Sequence, residues 1–170
     1  ASIAVLGWED PVAWSLRNKV KGELLTFGLQ PASDLLDGAF QQGEYLILRR
    51  DGIERVILPK AEVRLRGQHN LLNVLAACAV AAAAGISTQA MVSVIRSFYG
   101  VPHRLEFVRR WGGADWYNDS IATAPERTVA AIQSFSEPLV LLIGGRDKKL
   151  PWGSLIDLIH QRVDHLILFG

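Results

Sequence analysis

Ile3, Ala4, Val5 and Leu6 form an apolar run stopped by Gly7, a pattern that predicts a strand over 2–7. Asp10 followed by Pro11 signals a helix start, because Asp caps and Pro suits the first helical position; a short helix to about Val20 is expected. Short strands are predicted over 24–27, 44–49 and 55–58. Gly43 and Asp51-Gly52 punctuate them, and Asp-Gly between Arg50 and Ile53 is a hairpin signal. Gly67 breaks this pattern. From near His69, apolar residues at Leu72, Leu75, Ala76, Ala79, Val80 and Ala83 recur at helical spacing until Gly85. Ser87 caps a second helix with Met91, Val94, Ile95 and Phe98 on one face, so 69–98 reads as a helical hairpin. Gly100 and Pro102 then mark a domain boundary, which divides the chain into 1–100 and 101–170.

Beyond residue 105, strands predicted over 105–110, 115–118, 139–143 and 166–169 alternate with helices over 125–135 and 153–162. The last two strands are continuous apolar runs, as expected where both faces of a strand are covered. Alternation of this kind predicts a parallel α/β unit, in which ligands sit beyond the carboxyl ends of the strands. Two such ends are rich in polar chemistry: Asn118-Asp119-Ser120, and Gly144-Gly145-Arg146-Asp147-Lys148.

Composition narrows the function classes. With 170 residues, 49 % of them apolar and 21 % charged, the chain has the makeup of a packed globular protein and not of a disordered segment. Eighteen Lys plus Arg against seventeen Asp plus Glu leave a net charge of +1, with no basic cluster for a nucleic acid or a membrane surface. The longest apolar run, 74–84, is far short of the roughly 20 residues that cross a bilayer. Cys78 is the single cysteine, which excludes an internal disulfide framework and fits a reduced, cytoplasmic setting. The chain begins at Ala1 inside one apolar run and stops at Gly170 after another, from which a piece of a longer protein is expected.

Four groups of residues can carry chemistry. Asn70 and Asn73 lie three apart beside His69 at the start of the long helix; their amides suit the edge of an adenine, or Asn70 or His69 caps the helix. His103 and Arg104 sit at the predicted domain junction, where Arg104 either clamps a phosphate or pairs with Glu106 on the surface. Asp119 leaves a strand end and can accept from two ribose hydroxyls. Thr123-Ala124-Pro125-Glu126 reads as a capping box, which assigns Thr123 to capping without excluding a ligand role. Lys148 follows a glycine pair and offers an ammonium to an anion; a solvated turn is the alternative. No phosphate-cradling Gly-x-x-x-x-Gly-Lys-Ser/Thr occurs, and neither His160 nor His165 has a partner at metal-ligand spacing.

Taken in order, Leu65-Arg66-Gly67-Gln68-His69-Asn70-Leu71-Leu72-Asn73, Gly100-Val101-Pro102-His103-Arg104-Leu105-Glu106, Asn118-Asp119-Ser120-Ile121-Ala122-Thr123 and Gly144-Gly145-Arg146-Asp147-Lys148 resemble the Mur ligase family of ATP-dependent amino-acid ligases. The first two motifs are common to Mur ligases and folylpolyglutamate synthases; the third is similar to that of the D-glutamate-adding members. The resemblance implies that residues 1–100 are the end of a central ATP-binding domain. Residues 101–170 are then the start of a Rossmann-like C-terminal domain. It implies ATP and Mg2+ as cofactors, with the phosphate loop and metal ligands outside this stretch. UDP-N-acetylmuramoyl-L-alanine and D-glutamate are the implied substrates. By position, Asn70 and Asn73 match adenine contacts, with His69 adjacent. His103 and Arg104 match a hinge beside the nucleotide, Asp119 a nucleotide contact, and Thr123 and Lys148 holders of D-glutamate. Ile121 stands where many members have Lys. A ligase for another amino acid, or a non-catalytic nucleotide-binding module, remains open at this point.

Overall fold

A computed structural model describes residues 2–32, 36–146 and 148–170. Their packing divides the chain into two compact units, Ala1–Tyr99 and Gly100–Gly170.

The first unit is a five-stranded sheet in the order β1-β2-β3-β4-β5: Ile3–Gly7, Glu23–Gly28, Gly38–Gln42, Tyr45–Arg50 and Ile53–Pro59. β1, β2 and β3 run parallel, and β3, β4 and β5 antiparallel. Asp10 caps α1 (Pro11–Ser15), its carboxylate accepting from the N–H groups of Val12 and Ala13. The helix is shorter than expected, because a 3-10 turn over Arg17–Lys19 replaces its second half. Asp51 and Gly52, at φ 54° and 70°, close the β4–β5 hairpin as an Asp-Gly turn should. The sequence pattern does not predict β3. Its burial comes from Ala39 and Phe40, and its Gly38 lies so close to β2 that a Cβ would fall 2.0 Å from the Thr26 carbonyl oxygen.

Two helices complete the unit. α2 (Gln68–Ala83) packs on the sheet, and α3 (Thr88–Ser97) on β5 and α2. α2 ends in a Schellman arrangement: the Gly85 N–H donates to Ala82 O and the Ile86 N–H to Ala81 O, with Gly85 at φ 75°. Its buried apolar face is Leu71, Leu75, Cys78 and Ala79, so the expected stripe is rotated and Val80 faces outward. The same correction applies to α3: Met91 and Val92 are buried, whereas Val94 is 63 % exposed and Phe98 43 %. In both helices the face is chosen by the sheet beneath it and not by the most apolar residues. Leu25, Leu46, Leu58 and Leu75 are fully buried, each stabilising the fold by about 1.5–3 kcal/mol. Cys78 belongs to this core, and burial pushes its thiol up to about 11.

The second unit opens with an antiparallel hairpin, β6 (Glu106–Trp111) and β7 (Ala114–Asn118), turning at Gly112-Gly113 with φ 62° and 81°. The continuous parallel unit expected from residue 105 onward is thereby corrected: these strands form their own two-stranded sheet. α4 (Pro125–Gln133), β8 (Val140–Gly144), α5 (Gly153–Arg162) and β9 (His165–Phe169) follow, with β8 and β9 parallel across the α5 connection. α4 and α5 pack together, burying Ile132 and Leu155. Tyr117 meets Phe135 edge to face at 5.0 Å, which joins the hairpin to the end of α4. The expectation that both apolar strands are covered on each face is not met: β9 is exposed along its length, Leu168 to 71 %. Two strands bury few faces, and the helices here pack chiefly on each other. The whole is α/β, as the alternation of elements predicts, and among the described residues no helix is long and apolar enough to cross a membrane.

Candidate functional site

Hairpin geometry builds the site. Because Glu106 pairs with Asn118 at the open end of β6–β7, the residues just before β6 and just after β7 are neighbours. The predicted junction residues, His103 and Arg104, are thus brought beside Asn118 and Asp119.

A set of hydrogen bonds fixes this meeting. The Leu105 N–H donates to Asp119 Oδ1 at 3.0 Å, and the His103 N–H to Glu106 Oε2 at 2.7 Å. The Ile121 N–H donates to the His103 carbonyl at 3.2 Å, and Asn118 Nδ2 lies 2.9 Å from His103 Nδ1. Asn118 Oδ1 in turn accepts the Ser120 N–H at 3.0 Å. His103 and Leu105 are held at φ 65° and 45°, a region that L residues avoid. Arg104 lies between them with an exposed side chain. The surface pairing of Arg104 with Glu106 is not what forms; the Glu106 carboxylate serves the backbone of His103 instead. Glu106 as an anchor is the contact that sequence reasoning missed. The Gly112-Gly113 turn signals the hairpin, and with it the adjacency of 103–106 and 118–121, but not this contact between residues three apart.

Thr123 follows on the same loop and is exposed. It is not the cap of α4. The N-cap is Ala124, with no side-chain hydrogen bond, because Pro125 occupies the first helical position and shifts the frame by one residue. Lys148 lies exposed on the loop after β8, where Gly144 allows close pairing: a Cβ there would fall 2.1 Å from the Phe169 carbonyl oxygen. Asp147 of the same motif lies outside the described residues.

In the first unit, the capping alternative for His69 and Asn70 fails in a similar way. Gly67 is the N-cap of α2, at φ 90° and without a side-chain bond. Asn70 is buried, and its Nδ2 donates to the Arg66 carbonyl at 2.7 Å, while Asn73 one turn on is exposed. The two amides share a helix but not an environment. Among the described residues there is no group of three or more His, Cys, Asp or Glu able to hold a metal ion.

No family model matches the chain. Individual proteins do. Over 166 residues, 98 % of the chain, it is 37 % identical to a UDP-N-acetylmuramoylalanine–D-glutamate ligase of Thermoanaerobacter sp. (strain X514), and over the same length 39 % identical to the ligase of that name from Symbiobacterium thermophilum. The chain spans 36 % of the length of each. Among solved structures, it shares its fold with UDP-N-acetylmuramoylalanyl-D-glutamyl-2,6-diaminopimelate–D-alanyl-D-alanyl ligase from Acinetobacter baumannii, at TM-score 0.74 and 21 % identity over 99 % of this chain and 39 % of that one. A pseudomurein peptide ligase type C from Methanothermus fervidus is similar at TM-score 0.64 and 17 % identity, over 96 % of this chain and 41 % of that one. By sequence along nearly all its residues, and by fold, this chain belongs to the Mur ligase family.

Proposed function

We propose that this chain is the stretch of an ATP-dependent ligase that joins D-glutamate to UDP-N-acetylmuramoyl-L-alanine in cytoplasmic peptidoglycan precursor synthesis. The observation that carries the reading is the loop after β7, where Asn118-Asp119-Ser120 with Thr123 resembles the D-glutamate-adding members and adjoins His103 and Arg104. The identity of 37 % to ligases named for D-glutamate supports it. In this reading residues 1–100 complete a central ATP-binding domain, and 101–170 begin the C-terminal Rossmann-like domain, with a hinge near Arg104.

The reaction is amide formation through an acyl phosphate. The L-alanyl carboxylate attacks the γ-phosphate of ATP, and the amine of D-glutamate then displaces phosphate. Such chemistry needs positioning and charge neutralisation more than covalent help from the protein. Arg104 offers an exposed guanidinium to phosphate oxygens. Asp119 accepts from ribose hydroxyls, and Asn70 and Asn73 lie on the adenine side. Thr123, whose hydroxyl is not engaged in capping, and the exposed Lys148 ammonium take the two carboxylates of D-glutamate. No residue here is assigned as a catalytic acid, base or nucleophile. In this reading the Mg2+ ligands belong to the ligase outside this stretch; among the described residues no group of three or more His, Cys, Asp or Glu stands together.

The deciding experiment is an amino-acid competition in the intact ligase. ATP-dependent product from D-glutamate, with little from L-glutamate or meso-diaminopimelate, is expected; preference for either of the others refutes the specificity. The 170-residue chain alone is expected to be inactive, and measurable ligation by it overturns that part of the reading.

A further inference from the structure

An amide settles the state of an imidazole at the open end of the β6–β7 hairpin. Asn118 Oδ1 accepts the Ser120 N–H at 3.0 Å, which fixes the orientation of the carboxamide. Its NH2 group therefore faces His103 Nδ1, 2.9 Å away. An amide nitrogen only donates. Nδ1 of the neutral ring consequently carries the lone pair, and the ring proton resides on Nε2. The backbone beneath the ring is equally fixed, by Glu106 on the His103 N–H and by Ile121 on its carbonyl. With Leu105 held by Asp119, the left-handed residues on both sides of Arg104 are anchored to β6 or to the end of β7.

We propose that Asn118 is a positioning residue. It holds His103 as the Nε2–H tautomer and fixes the 103–105 turn that presents Arg104, and through both it sets the affinity for the phosphorylated nucleotide. The last clause rests on the nucleotide-side reading of Arg104 and His103 given above; the tautomer does not. The consequence is a neutral donor, Nε2–H, on an exposed ring next to a permanent cation. That pair is suited to an oxygen-rich anionic ligand.

Asn118→Asp tests this with little change of shape. One carboxylate oxygen still accepts the Ser120 N–H, while the other now faces Nδ1 as an acceptor and draws the ring proton to it. The readout is nitrogen NMR of the 170-residue chain labelled at its four histidines, at mildly alkaline pH, with the His103 signals identified by their loss in His103→Gln. Nδ1 is expected to be unprotonated in the natural sequence and protonated in Asn118→Asp. A proton on Nδ1 in the natural sequence, or an unchanged Nε2–H ring in the variant, overturns the assignment. In the intact ligase, Asn118→Asp is expected to raise the KM for ATP roughly tenfold (about 1.4 kcal/mol) with a far smaller change in the KM for D-glutamate. An unchanged KM for ATP, or equal effects on both substrates, overturns the link to the nucleotide. If the tautomer switches as expected but the intact natural protein performs no ATP-dependent ligation, the functional reading falls together with that link, and the tautomer assignment stands.

Discussion

Asp119→Ala and Asp119→Asn separate two roles carried by one half-buried carboxylate. Its Oδ1 accepts the Leu105 N–H at 3.0 Å, and Leu105 sits at φ 45°, a conformation that this bond helps to maintain. A hydrogen bond to a charged acceptor contributes about 1.5–3 kcal/mol, against about 0.5–1.5 kcal/mol for a neutral one. Alanine removes the acceptor altogether. Hydrogen exchange of the Leu105 amide is then expected to quicken by about 10- to 150-fold, the same energy expressed as a ratio. Asparagine keeps a carbonyl oxygen in place and forfeits only about 1 kcal/mol, which corresponds to about fivefold. Amide exchange followed by NMR in the whole chain reads this locally, whatever happens elsewhere. If neither substitution alters Leu105 exchange, the bond contributes nothing and the account of the loop is wrong. The second role is read in the intact ligase. Asparagine keeps the turn but lacks the charge that favours ribose hydroxyl donors, so it is expected to weaken ATP binding nearly as much as alanine does. Full ATP affinity in Asp119→Asn would reduce Asp119 to a structural turn residue.

Other expectations follow from close contacts and charge. Gly144→Ala is expected to destabilise the second unit by roughly 3 kcal/mol or more, since its Cβ would meet the Phe169 carbonyl; Gly145→Ala, at φ 128° with nothing within 4 Å, should lose only about 1–3 kcal/mol in backbone strain. Thermal unfolding of the two variants compares them, and equal losses would contradict the contact argument. Lys148→Ala in the intact ligase is expected to raise the KM for D-glutamate more than tenfold (about 2–5 kcal/mol for a desolvated charge partner), while Lys149→Ala does not. Equal effects at the two positions would remove Lys148 from the substrate site. Glu62, hydrogen-bonded by Arg96, titrates below its ordinary 4.5. Its contribution is therefore present above about pH 4.5 and is lost as the pH falls through the lowered value, so Arg96→Ala should flatten the acid limb of the stability curve. An acid limb of unchanged steepness would show that the pair contributes nothing.

What the sequence makes legible is local chemistry. Asp10, Ser87, Gly85 and Asp51-Gly52 do what their side chains or their freedom of φ prescribe, because each signal is satisfied within a few residues. Helix faces were less legible. On α2 the spacing gives Leu75 and Ala79, but Leu71 and Cys78, not Val80, complete the buried stripe, and only the sheet decides that. β3 is not legible because Ala39 and Phe40 are its only apolar side chains, and pairing on both edges, with β2 and with β4 across a two-residue turn, makes the segment a strand. Thr123 shows a local signal misread by one residue: the capping box fits the letters, yet Pro125 takes the first helical position and makes Ala124 the cap. At the candidate site, the types of residue were legible and their bonds were not. Their positions single out Asp119, Arg104 and His103, but nothing in spacing alone tells that Glu106 serves the His103 backbone.

The loop around Arg104 is stable for a reason that bears on binding. Two L residues in the left-handed region cost about 1–3 kcal/mol each, and such strain persists only where surroundings over-determine it. Here two charge-assisted bonds, from His103 to Glu106 and from Leu105 to Asp119, contribute about 1.5–3 kcal/mol each, and the bonds of Ile121 and Asn118 about 0.5–1.5 kcal/mol each. The bonds offset the strain within the chain itself. If Arg104 meets the nucleotide as proposed, an unstrained loop of the same length would have to be ordered on binding, and that ordering would be subtracted from affinity. A turn already held by both ends of a hairpin avoids this loss. In the proposed reading, the strain at His103 and Leu105 preorganises Arg104 for the nucleotide and is not a by-product of a tight connection.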